Sequence, residues 1–243
     1  YTPSAAVLVN LRRRRKASMS EGRSFLGIGQ SGTAPGLGPE SEIPHAAEEV
    51  ERVGALFAPG RRRILLGAAA DERSVKEAPL SEFRILHIAA HGRADERFPL
   101  RSALFLGANE GTGEDGILRM SEVLELELGC DLVVLSGCET GRGRLYRSEG
   151  ALGFSWAFLS AGASTVAVSL WNVNDRATSE LMVAFYEGIV GGREGPDETT
   201  LAEAMAGAKR KMLRSERRAY RHPYYWAPFV LIGSGDVVGR AGR

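Results

Sequence analysis

Two rhythms of apolar and polar residues run along the chain. Short, nearly unbroken apolar runs recur at 24–28, 83–90, 132–135, 165–170 and 229–232. Bounded by turn residues, such runs predict buried strands. Between them apolar residues return at helical spacing. His45 to Phe57, with Ala47, Val50, Val53 and Leu56, predicts one helix, and Ser148 to Ala161, stopped by Gly162, a second. Asn174-Asp175 opens a third that runs through Ile189. Thr199 to Arg214 is a fourth, with basic residues near its C-terminus that suit the helix dipole. Thr2-Pro3-Ser4 starts a capped helix reaching Lys16. Arg62–Leu66 and Ala103–Leu106 read as short strands, and Asp71-Glu72 and Met120–Leu126 as short helical segments. Residues 29–41, 107–116 and 139–147 are turn-rich loops, the first mobile. Apolar strands alternating with helices predict an α/β fold, a mostly parallel central sheet with helices on both faces. Functional groups in such folds gather just past the carboxyl ends of strands.

Composition narrows the function classes. The 243 residues are 44% hydrophobic and 25% charged, with net charge +1. That is an ordinary globular balance, neither a strongly basic nucleic-acid binder nor an acidic disordered tail. The chain is long enough to bury a sizeable core as one domain. No apolar run approaches the ~18 residues of a membrane helix, and no signal-peptide pattern opens the chain. Two cysteines cannot build a disulfide scaffold, which predicts a reducing, cytoplasmic setting. The first residue is Tyr1 rather than Met, so the chain is expected to be a piece of a longer protein. The near-neutral total hides an uneven spread. Residues 84–199 hold 17 acidic and 10 basic side chains, net −7, while 200–243 hold 3 and 9, net +6. Either the acids are solvated faces, or the middle block carries a site for cationic ligands.

Two strands end in a reactive residue beside glycine, as His91-Gly92 and as Gly137-Cys138. A cysteine thiolate is a good carbonyl nucleophile, and an imidazole activates it and protonates the leaving amine. Glycine lets a substrate approach the backbone, and the amides of Gly92 and Cys138 are candidate donors to an oxyanion. A buried cysteine after a strand is also commonly a structural thiol. No phosphate loop, metal-ligand spacing or dinucleotide fingerprint is present, so neither a metal nor another cofactor is expected.

The surrounding motifs run in order: LHIAAHG at 86–92, VVLSGCETG at 133–141, RSEGA at 147–151, AGASTVAVSLWNVND at 161–175 and HPYYWAPFVLIG at 222–233. Together they resemble the CHAT domain, a caspase-like cysteine peptidase module related to separases. The motifs cover about 84–233, and 1–80 resembles the weaker N-terminal half, so one domain spans 1–243 with its catalytic half at 81–235. The resemblance implies His91 as the catalytic histidine and Cys138 as the nucleophile of a Cys–His dyad endopeptidase. His87, His45, His222 and Cys130 then fall to structural or surface roles. Asp175 matches the acid that lines the substrate pocket in separase-like relatives. That implies cleavage after Arg, with Lys weaker, through a bidentate carboxylate–guanidinium pair; the alternative is a helix cap. Glu149 either supplements that pocket, steadies the active-site loop or is an acid at a helix N-terminus. The Gly/Arg-rich loop after Cys138 is a surface loop, a gate or a self-cleavage segment. Implied partners are a protein substrate and an upstream sensor, repeat domain or regulator, as in bacterial defence, with no direct nucleic acid and no membrane. Two readings compete with the peptidase. One is a catalytically silent interaction module of the same fold. The other is a thiol esterase, which would favour Gly-x-Cys-x-Gly at the nucleophile, whereas Gly137 adjoins Cys138 directly.

Overall fold

The computed structural model describes residues 24–32, 43–95, 97–108, 113–139, 149–171, 174–191 and 199–236, without the side chains of 138–139 and 149–152. The predicted helix over 2–16, most of the 29–41 loop and nearly all of the 139–147 loop lie outside these residues. Eight strands are described: β1 Phe25–Gly29, β2 Arg62–Leu66, β3 Ile85–Arg93, β4 Ala103–Phe105, β5 Ile117–Arg119, β6 Leu132–Glu139, β7 Thr165–Ser169 and β8 Phe229–Gly233. They form one sheet of order β2-β1-β3-β6-β7-β8, with β4 beside β3 and β5 beside β4. The strands from β2 to β7 on that path are parallel; β8, β4 and β5 pair antiparallel. The predicted α/β fold with a mostly parallel sheet is the fold observed.

The helices are α1 His45–Gly54, α2 Glu72–Lys76, α3 Met120–Val123, α4 Glu149–Ala161, α5 Asp175–Val190 and α6 Leu201–Leu213. Alternation along the strands divides the core. Leu26, Ile28, Leu86, Ile88, Val133 and Leu135 point to one cluster with Phe154 and Phe158 of α4. Phe25, Ile85, Leu132 and Val134 point to the other, with Val53 of α1, Phe185 of α5 and Met205 of α6. Each central strand therefore has two apolar faces, which is why these segments read as continuous apolar runs rather than as alternation. Caps follow the sequence: Asn174 Oδ1 accepts the Ala177 amide at 3.0 Å, and Thr200 and Glu203 form a reciprocal capping box.

Several boundaries differ from expectation, among them β6, which runs on through Cys138 to Glu139, and α3, which ends at Val123 instead of Leu126. Strand β3 runs to Arg93, so His91 and Gly92 lie inside it rather than beyond it. Its last three residues pair with β4, past the point where β1 has stopped. Strand β5 sits in a segment with no strand pattern and is defined by its pairing with β4. Helix α1 ends at Gly54 instead of Phe57, yet Phe57 still enters the core and stacks on Phe25 with centroids 4.7 Å apart.

A charge cluster joins α2 to α3. The Lys76 ammonium lies 2.8 Å from Glu72, 2.8 Å from Glu114 and 2.7 Å from Glu122. Burial alone would lower its pKa, but the hydrogen bonds it donates to the three carboxylates outweigh that and hold it raised. Burial pushes the Glu72 carboxyl up, opposed by Lys76. Glu72 also accepts the Gly116 and Ile117 amides, which seats β5. Replacing Lys76 with Met leaves this buried carboxylate uncompensated. The expected loss is roughly 2 kcal/mol, below the range for fully buried pairs because the lysine is partly exposed. An unchanged urea midpoint would show that the cluster does not stabilise the fold.

Candidate active site

Strands β3 and β6 bring the two Gly-flanked residues to one edge of the sheet. Pairing is regular from Ile85↔Leu132 to Ala89↔Ser136, then resumes as Gly92↔Cys138 and Arg93↔Glu139. The chain advances three residues on β3 for two on β6, a bulge on the strand that carries His91. On β6 the irregularity is Gly137, with φ +86°. A side chain there would be strained whatever the space, and its Cβ would sit 3.2 Å from the Ala90 carbonyl oxygen. The two irregularities meet where the sequence places its chemistry. Gly137→Ala is expected to cost about 1–2 kcal/mol and to displace the Cys138 backbone. Thermal melts read the first effect, and thiol alkylation rates compared with wild type read the second; wild-type values in both would refute it.

Bulge and register put Gly92 across from Cys138, at the inter-strand spacing of about 4.8 Å, with His91 next to it along β3. On its other side Gly92 faces Leu104, and His91 faces Phe105. Gly92 thus belongs to the ladder instead of a free turn. His91 is 2% exposed. The Cys138 side chain lies outside the described residues, so the backbone register is what relates it to His91.

Asp175 opens α5, but Asn174 supplies the cap. Asp175 reaches instead to α1, where its Oδ2 accepts the His45 backbone amide at 2.8 Å. A carboxylate at the positive end of a helix is well placed electrostatically. Burial pushes its carboxyl above the ordinary carboxylate value and Glu49 adds to that, while the His45 amide and, more weakly, the His91 charge pull it down. Asp175 and His91 therefore share one electrostatic neighbourhood. Glu149 is the first residue of α4, and its side chain lies outside the described residues.

The remaining histidines and Cys130 have structural surroundings. Cys130 is buried, and desolvation pushes its thiol up to about 12, which leaves it protonated. His45 begins α1 and contacts Glu48 at 2.9 Å. His222 Nδ1 accepts the Tyr224 amide. His87 is fully buried, with Nδ1 3.1 Å from the Tyr186 hydroxyl and Nε2 2.9 Å from Glu49. Burial holds the Tyr186 phenol well above its ordinary value, with Glu49 adding to it. Glu49 and Tyr186 escape a reading by motif. The available signal is that Glu49 falls on the apolar stripe of α1 with Ala46, Val50 and Val53, where a lone carboxylate demands a partner.

The acidic middle block is partly tied up in internal pairs. Glu114 and Glu122 hold Lys76, Asp131 holds Arg84 at 2.8 Å, and Asp115 holds Arg119 at 2.6 Å. The last two pairs lie within the block and leave its net charge unchanged, so of these cations only Lys76, from outside it, offsets the −7. Glu72, Glu114 and Glu122 have oxygens close enough to share a cation, but the Lys76 ammonium occupies their centre. Among the described residues, no helix is long and apolar enough to cross a membrane.

Known proteins of similar sequence and structure place this arrangement. Over 118 residues, 49% of the chain, the sequence is 37% identical to tetratricopeptide repeat protein 28 of Mus musculus and 36% identical to that of Homo sapiens. The match spans 4% of either relative's length. The fold is similar to that of the Arg-specific cysteine proteinase gingipain R, with TM-score 0.58 and 11% identity over 96% of this chain and 53% of that one. It is similar also to the separase–securin complex of Saccharomyces cerevisiae, with TM-score 0.56 and 14% identity over 96% of this chain and 14% of that one. At such identities the likeness is one of fold, that of the caspase-like peptidases. Residues 1–234 match the CHAT domain, and the chain belongs to that family.

Proposed function

We propose that the protein is a cysteine endopeptidase in which Cys138 is the nucleophile and His91 its acid–base partner, cleaving a protein substrate after Arg and, less well, Lys. The observation that carries this reading is the β3–β6 register, which sets Gly92 across from Cys138 with His91 adjacent, at the carboxyl edge of a peptidase-type sheet. Cys138 sulfur attacks the scissile carbonyl carbon and gives its proton to His91. The amides of Cys138 and Gly92 receive the developing oxyanion. The C–N bond then breaks, His91 protonates the departing amine, and a thioester is left on Cys138. Water, deprotonated by His91, hydrolyses the thioester and restores the thiol. Asp175, half-buried at the start of α5, is the carboxylate that pairs with the substrate guanidinium. Glu149, at the start of α4, supplements it. An upstream sensor or repeat domain, as in a defence effector, controls this activity.

The burial of His91 favours a second reading, a catalytically silent module that keeps the fold for binding. The two are separated by incubating the protein with a peptide library varied before the cut and reading the products by mass spectrometry. The peptidase reading expects Cys138-dependent cuts after Arg. Identical products from wild type and Cys138→Ala, or a preference for Asp or Met before the cut, would overturn it.

A further inference from the structure

Beneath the candidate site the core holds a carboxylate among apolar side chains. Glu49 of α1 is 1% exposed and His87 of β3 is fully buried. Glu49 Oε1 lies 2.9 Å from His87 Nε2, and His87 Nδ1 lies 3.1 Å from the Tyr186 hydroxyl of α5. Among the described residues, no ammonium or guanidinium pairs with Glu49. For stability alone, apolar side chains of similar volume serve as well or better.

The same three elements meet again nearer the carboxyl edge. There β3 carries His91, and Asp175 at the start of α5 accepts the His45 amide of α1 at 2.8 Å. Glu49 follows His45 by four residues, one turn along the same face of α1. Tyr186 follows Asp175 by eleven, three turns along the same face of α5. Ala46 of α1 and Ala89 of β3 fall between the two layers and pack in one apolar cluster, a medium that screens charge weakly. Burial is the largest cause that raises the Asp175 carboxyl, and the Glu49 charge adds to it.

We propose that Glu49 is a positioning residue for substrate choice, a second carboxylate set behind Asp175 that draws a cationic side chain to the start of α5. This rests on the reading of Asp175 as the acid that meets the substrate. A carboxylate only accepts, so His87 Nε2 carries the proton between them, and Nδ1 accepts from the Tyr186 hydroxyl. Burial keeps that phenol protonated. The imidazole is then neutral, and the negative charge stays on Glu49. An arriving guanidinium is paired by Asp175 in contact and attracted by Glu49 from one helical turn deeper. A neutral side chain of the same shape gains neither interaction.

Calorimetry on the Cys138→Ala protein, which binds a peptide without cutting it, tests this with an Arg peptide and its neutral citrulline twin. That protein is expected to prefer Arg. Glu49→Gln keeps an acceptor for His87 and removes the charge. It should weaken Arg binding at least about threefold and leave citrulline binding unchanged. Tyr186→Phe keeps the charge and should keep the preference. Glu49→Leu with His87→Phe replaces the pair by apolar side chains, a swap that cores tolerate, and should reproduce the Gln result; it keeps the test open if the single change unfolds the protein. Circular dichroism controls for folding. Carbon-13 NMR of the Asp175 carboxyl, assigned through Asp175→Asn, needs no peptide. Asp175 should titrate at lower pH in Glu49→Gln, because a like charge is gone. The other groups facing it, His45, His87, His91 and Tyr186, are the same in both proteins. The exposed Glu48, Arg52 and Arg176 of the two helices act on one another, Arg62 of β2 bonds Gly54 at the far end of α1, and β1 has no titratable group. An Arg preference, or an Asp175 titration, untouched by Glu49→Gln would overturn the inference and leave the reading of Asp175 standing. So would equal weakening of both peptides, the mark of a purely structural role. No preference for Arg, or no binding of either peptide, would remove the Asp175 reading and this inference with it.

Discussion

Cys138→Ala is expected to reduce cleavage of peptides with Arg before the cut by at least about 1000-fold, and His91→Ala by a similar factor, because members of a catalytic unit fail together. The double variant should be no worse than either single one. Cys130→Ala is the matched control. Its thiol is buried and held protonated, so activity should remain while stability falls slightly from lost packing. Single-turnover cleavage of a fluorogenic Arg peptide provides the readout. Equal loss in Cys130→Ala and Cys138→Ala would mean that thiol removal acts through the fold, and the dyad would be lost as an explanation. Alkylation distinguishes the thiols independently, since Cys138 should react while the folded protein shields Cys130.

Asp175→Asn is expected to lower kcat/KM for Arg peptides by roughly 100-fold, the range for removing one charge of a desolvated pair. The substitution is informative because it retains an acceptor oxygen for the His45 amide. The α1 anchor is therefore kept, and only the charge is lost. Asp175→Ala removes both and should also lower the melting temperature, which Asn should not. A pH profile adds a signed test. Burial raises the Asp175 carboxyl, so its charged form, needed for the guanidinium, is lost as pH falls through a value above that of an ordinary aspartate. Activity on Arg peptides should show that acid limb in wild type, and Asp175→Asn should lack it. An Asn variant with wild-type Arg preference would leave Asp175 as an anchor for α1 alone.

Much of this site is legible in the residues. His91-Gly92 and Gly137-Cys138 announce themselves as reactive residues beside glycine at the ends of apolar strands. Cys130 and His87 read as packing residues, and their burial agrees. Asn174-Asp175 reads as a cap, yet the two residues divide. Asn174 serves α5, while Asp175 bonds a helix 130 residues away in sequence. No local rule distinguishes them, because either side chain can cap and only the placement of α1 decides which one is drawn off. The same holds for Glu49, whose partner His87 comes from β3 and is itself held on its other nitrogen by Tyr186 of α5.

The periodicity of the chain by itself determined the α/β class, the order of most elements and the two-faced core, since these follow from local spacing and from the need to bury apolar surface. Tertiary structure decided the rest. The bulge on β3 depends on how two strands align, and β5 exists only as a partner of β4. The acids of the middle block found partners that their order in the chain does not show, Glu114 and Glu122 sharing the Lys76 ammonium from outside the block once α2 and α3 came together. Charge summed along a chain carries no distances, and Coulomb energy depends on them.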